Sequence, residues 1–186
     1  VLQMEFVKRI HFRFREKTKW EDVYPHFYLL SKCSACMGIG ETGFYYRTGS
    51  DTQITSLRGK ERMDVLVVFE DLLRFISKER KKELYFPAMR VMVRFSIWCI
   101  RMADTDNRKN LVNILHLFFK RLPKEYIAAL KKGVKECCRG ADARQYLLFI
   151  MAIRTRPLYF IFNDYLWQDM GEKTVKKLLG AGERVA

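Results

Sequence analysis

Between Leu2 and Phe14 the apolar residues fall almost entirely at even positions (Leu2, Met4, Phe6, Ile10, Phe12, Phe14) and the odd positions are mostly polar. That is the two-residue period of a half-buried strand. A second β signature follows at 43–57, GFYYRTGSDTQITSL, where aromatic and β-branched residues flank the turn-forming TGSD, as a hairpin with a short loop requires. Residues 1–58 are therefore expected to carry a small antiparallel β element, with Tyr45 and Tyr46 in its core rather than exposed as platforms on which bases stack.

After about Gly59 the period lengthens to that of helices. In KERMDVLVVFEDLLRFISKERKK (60–82), Met63, Leu66, Phe69, Leu73 and Ile76 recur at steps of three or four, with Val65, Val68, Leu72 and Phe75 beside them. So wide an apolar arc predicts a helix near the centre of the core. PAMRVMVRFSIWCIRM (87–102) carries both periods, because Val91, Val93, Phe95 and Ile97 alternate; helix is the preferred reading. TDNRKNLVNILHLFF (105–119) offers Thr105 or Asp106 as cap and Leu111, Leu115 and Phe118 as apolar face. Pro123 then opens KEYIAALKKGVKECC, with Ile127, Leu130, Val134 and Cys137 on one side. ADARQYLLFIMAI (141–153), PLYFIFNDYLWQDM (157–170) and EKTVKKLL (172–179), stopped by Gly180, complete the set. The expected fold is mainly α: a bundle of about six or seven helices over 59–186 with a small N-terminal antiparallel β element over 1–58, in one compact domain, 1–186.

At 186 residues the chain is long enough for a core that needs no disulfide or metal staple. Five cysteines, two of them adjacent at Cys137 and Cys138, do not read as a secreted disulfide framework. A reducing intracellular compartment, cytoplasm or nucleus, is expected. No apolar run approaches the length of a membrane span. Charge changes the picture most. With 35 Lys+Arg against 21 Asp+Glu the formal net charge is +14, which points to an anionic partner: nucleic acid with RNA favoured, an acidic protein, or an anionic membrane surface. A homo-oligomer is compatible with all three.

The stretch CSACMGIGETGFYYR, Cys33 to Arg47, fits three motif descriptions. Cys33 and Cys36 have the spacing at which two thiolates reach one zinc ion, and Gly38 and Gly40 follow them. Those eight residues resemble one unit of the zinc-binding region of J-domain co-chaperones. The resemblance implies two further ligands, for which His26, or Cys137 and Cys138, are the available residues. That family uses several such units in pairs, whereas this chain has one, so two buried or partly buried thiols are the preferred reading, the glycines are expected to shape a tight surface loop, and no metal or cofactor is expected. The dinucleotide reading of Gly38, Gly40 and Gly43 needs a helix where FYYR reads as strand. The kinase reading fails because the chain lacks H-R-D-x-x-x-x-N and D-F-G.

No catalytic residue is assigned. His11, His26 and His116 lie in no paired-ligand spacing, and His116 shares a stripe with Lys109, Asn113 and Lys120 that reads as solvent-facing. Glu70–Asp71 and Asp104/Asp106 are acidic pairs of the kind a metal-dependent nuclease needs, and read more simply as a helix's solvent edge or N-terminal cap. The cations carry more information: between Lys78 and Arg144 there are 17 Lys+Arg and 7 Asp+Glu. If 87–102 is helical, Arg90, Arg94 and Arg101 fall within about 40° around its axis. Lys81, Lys82, Lys120, Arg121, Lys124, Lys131, Lys132 and Lys135 extend the candidate set. The expected function is a non-enzymatic RNA- or nucleic-acid-binding domain that holds the phosphate backbone on a basic helical surface, of the viral nucleoprotein-like, matrix-like or polymerase-associated kind. A helical protein-interaction scaffold with an acidic partner comes second, and the nuclease third.

Overall fold

The structure, a computed structural model, describes residues 3–38, 40, 45, 57–138, 140, 143, 145, 146 and 149. Among them six α-helices follow in order: α1 (Met4–Arg9), α2 (Val23–Lys32), α3 (Val65–Glu79), α4 (Tyr85–Met102), α5 (Thr105–Arg121) and α6 (Lys124–Cys137). Short 3-10 turns at Lys60–Asp64 and Lys82–Leu84 lead into α3 and α4. The protein is mainly helical, as the period after Gly59 requires.

The N-terminal strand is not there. Met4–Arg9 is helical, with Val7 N–H donating to Gln3 O at 3.2 Å and Ile10 N–H to Phe6 O at 3.1 Å, and no residue of α1 is buried. Alternation specifies a strand only where a neighbour completes its ladder; none of the described residues is in a strand. Met, Glu, Lys and Arg are good helix formers and take the local alternative. Phe12 packs on a helix instead, stacking on Tyr28 of α2 at 5.5 Å, and Phe14 meets it edge-on at 5.2 Å. The hairpin expected at 43–57 lies outside the described residues except for Tyr45 and Leu57. Tyr45, expected in a sheet core, is 94% exposed.

Backbone contacts group the chain into two units, Val1–Val112 and Asn113–Ala186. In the first, α3 packs against both α2 and α4. Its buried residues Val65, Val68, Phe69, Leu72, Phe75 and Ile76 follow the three-and-four rule, and four of them are fully enclosed. Arg80 ends α3 in the left-handed region (φ 54) while its N–H donates to Ile76 O at 3.0 Å. Polar straps fix the preceding chain along α3. Lys19 N–H donates to Asp64 at 3.0 Å, Arg15 pairs with Asp71 at 2.6 Å, and Lys32 pairs with Glu79 at 2.7 Å. From 64 to 79 the straps span about 22 Å of helix at 1.5 Å per residue.

The ambiguous segment 87–102 is helical: Ala88, Met89, Met92, Val93, Ser96, Ile97, Cys99 and Ile100 of α4 are buried, a stripe that period two cannot produce. Pro87, third in α4, sits in the first turn, where its missing N–H costs no helix bond. The cap of α5 is Asp104 rather than Thr105 or Asp106, since Asp104 Oδ1 accepts from Asn107 N–H at 2.7 Å.

In the second unit, Leu115 and Phe119 of α5 and Tyr126, Leu130, Gly133 and Val134 of α6 are buried. Phe119 meets Phe149 edge-on at 5.2 Å. Phe118, expected on the apolar face of α5, is half-buried, and Cys137 of α6 is exposed. The described residues between 140 and 149 are helical. The two segments expected as helices at 157–170 and 172–179 lie outside the described residues.

Candidate nucleic-acid interface

The sequence-derived cations divide between the two units. In the first, Lys81 is half-buried and Lys82 exposed on the link between α3 and α4; on α4, Arg94 and Arg101 are exposed and Arg90 is half-buried. Ile97 lies about 20° beyond Arg90 around the same axis and is only 6% exposed, so the arginines occupy the edge of the solvent face rather than its middle. In the second unit Lys120 and Arg121 end α5, and Lys124, Lys131, Lys132 and Lys135 lie on α6, all exposed. Lys124, Lys131 and Lys135 share one 40° arc that runs about 16 Å along the helix, and Ala128, about 20° to its side, is exposed too. Lys132 pairs loosely with Glu136 at 3.9 Å, whereas the other three make no ion pair among the described residues.

The periodicity reading missed a second basic surface. From Lys8 to Lys19 the chain reads KRIHFRFREKTK, with one acidic residue. Arg13, Phe14 and Arg15 are exposed, Phe14 by 60%. A strand reading places one set of these residues inward; the irregular backbone leaves both cations and the aromatic outside.

It also missed a buried cation. Arg62, fully enclosed in the turn before α3, lies over the ring of Trp98 at 4.6 Å and over Trp20 at 5.5 Å. Trp20 meets Trp98 edge-on at 5.0 Å and Phe95 at 5.5 Å. The Arg62 guanidinium lies beside the Cys99 thiol, which burial pushes up to about 12. Three chain segments meet in this cluster, and no local spacing announces it.

Of the acidic pairs weighed for metal chemistry, Asp71 and Asp104 are engaged in the fold, whereas Glu70 and Asp106 are exposed. The Asp71 carboxylate takes Arg15 on one oxygen and Arg74 on the other, the latter at 3.1 Å. Asp104 caps α5, and the Asn107 backbone and side-chain N–H groups hold its carboxyl below the usual range. Cys33, half-buried at the end of α2, donates to Leu30 O at 3.2 Å, and Cys36 is exposed. His11 and His26 are exposed. His116 is half-buried with Nδ1 enclosed rather than facing solvent. Among the described residues no three His, Cys, Asp or Glu side chains converge as a metal site, and no helix is long and apolar enough to cross a membrane. The chain matches no protein-family model, and no curated protein and no solved structure matches it.

Proposed function

We propose that the protein is a non-enzymatic nucleic-acid-binding domain, with RNA favoured, that holds the phosphate backbone on exposed basic helical faces with little base preference. The arc of Lys124, Lys131 and Lys135 on α6 carries the reading. Three ammonium groups on one face, without carboxylate partners among the described residues, repel one another; a polyanion lying along the helix relieves that repulsion and releases its own condensed counterions. Arg94 and Arg101 on α4 offer a second contact of the same chemistry. The viral nucleoprotein-like, matrix-like and polymerase-associated roles expected from the sequence all use such a surface.

The test is a fluorescence titration with labelled single-stranded RNA at several salt concentrations. The variant Lys124→Gln/Lys131→Gln/Lys135→Gln keeps the side-chain stems, so lost packing is not mistaken for lost phosphate contact. It is expected to bind more weakly across all sequences, with the slope of log K against log[salt] reduced by up to about 0.7 per lost contact. Gly38→Ala/Gly40→Ala serves as the loop control, since an added Cβ meets nothing within 4 Å at either position. If the lysine variant is folded and keeps the parent's affinity and slope while the loop variant loses binding, the proposal is wrong.

A further inference from the structure

We infer that the C-terminal end of α5 docks on an anionic lipid surface, with Leu117 entering the boundary between headgroups and acyl chains and Lys120 and Arg121 meeting the headgroups. Leu117 is 50% exposed, and it is the one large apolar side chain so exposed among the described residues of Asn113–Ala186. Four residues separate it from Arg121, so the two lie one turn apart and within 40° around the axis. Lys120 and the following Pro123 are exposed, and Phe118 and Leu122 are half-buried beside them. Neither Lys120 nor Arg121 makes an ion pair among the described residues.

The ordinary reading of cations here is that they offset the negative end of the α5 dipole. It accounts for Lys120 and Arg121 and leaves Leu117 unexplained. Aliphatic exposure also separates lipid from nucleic acid. A leucine gains nothing against phosphates and offers no flat ring for a base. Beside two long cationic stems that reach past it to the headgroups, the same leucine completes the apolar-plus-basic pair of a reversible interfacial contact. Charge complementarity selects an anionic leaflet over a neutral one. This surface does not include the lysine arc of the proposed RNA contact, so the two succeed or fail separately.

The experiment is flotation of the full chain with vesicles of phosphatidylcholine alone and of phosphatidylcholine mixed with phosphatidylserine, at low salt. Binding to the mixed vesicles alone is expected. Lys120→Gln/Arg121→Gln should weaken it by about 25-fold, at roughly fivefold per surface charge. Leu117→Gln should weaken it by on the order of tenfold and leave RNA binding unchanged; circular dichroism checks that both variants are folded. Failure of the parent to float with the mixed vesicles overturns the inference. So does a Leu117→Gln variant that floats as well as the parent, or one whose RNA affinity falls while its vesicle binding does not.

Discussion

At Trp20 the backbone enters the left-handed region, φ 64, although the side chain is bulky and only 5% exposed. Such a conformation costs about 1–3 kcal/mol and persists where surrounding contacts over-determine it. Here those contacts are the edge-on rings of Phe95 and Trp98, the Arg62 guanidinium, and the Lys19 N–H held by Asp64. Arg62 is the centre of the arrangement: its guanidinium lies over two indole rings while burial lowers its proton affinity. Arg62→Ala removes the cation–π contacts and leaves a cavity among rigid rings, and is expected to lower unfolding free energy by about 3 kcal/mol or more. Arg62→Lys keeps the charge without the broad guanidinium and should cost about 1 kcal/mol at least. Urea denaturation of both variants checks this; an alanine variant within 1 kcal/mol of the parent contradicts it. None of this was legible in the sequence. A charged residue in a polar-looking turn reads as exposed, and its partners Trp20 and Trp98 come from segments that only the folded chain brings together.

Among the elements, α3 and α4 were the most legible, because a buried stripe repeating every three or four residues over 15 and 18 residues has few alternatives. α1 was the least legible. Six alternating positions fit a strand as well as chance, and a six-residue helix gives no second turn to contradict them. Part of what holds α2 on α3 was also hidden, since Tyr24 and Tyr28 meet Phe75 and one long-range ion pair joins the two helices. Lys32 and Glu79 form that pair at 2.7 Å, and Lys32 also lies over the Tyr28 and Phe75 rings at 5.9 and 5.7 Å. The hydrogen bond from Lys32 holds the Glu79 carboxyl below its ordinary value. A carboxyl depressed in the folded state contributes stability that is fully present above its unfolded-state value and is lost as pH falls through the folded-state value. Stability is therefore expected to decline on acidification through and below the ordinary carboxylate range, and Glu79→Gln to show a shallower decline over that interval. Urea midpoints measured across an acid pH series decide it: an equally steep decline in the variant removes Glu79 from the account.

At the scale of the whole molecule, the excess of cations was legible by counting, and so was the exposure of most of them. Which face they share was only partly legible. The helical wheel placed Arg90, Arg94 and Arg101 together but did not reveal that Ile97, next to their arc, is buried. The cleaner lysine arc on α6 followed from the same arithmetic once Tyr126, Leu130, Gly133 and Val134 were seen to define its buried side. A net charge of +14 opposes the folded state by self-repulsion and attracts polyanions. The central claim is that this charge holds a phosphate backbone. Its most direct test is the salt dependence of the parent chain's binding to single-stranded RNA oligonucleotides of equal length and different sequence. Three lysine–phosphate contacts predict a slope of log K against log[salt] of about −2 or steeper, common to all the oligonucleotides. A slope near zero, or no binding at low salt, contradicts the account.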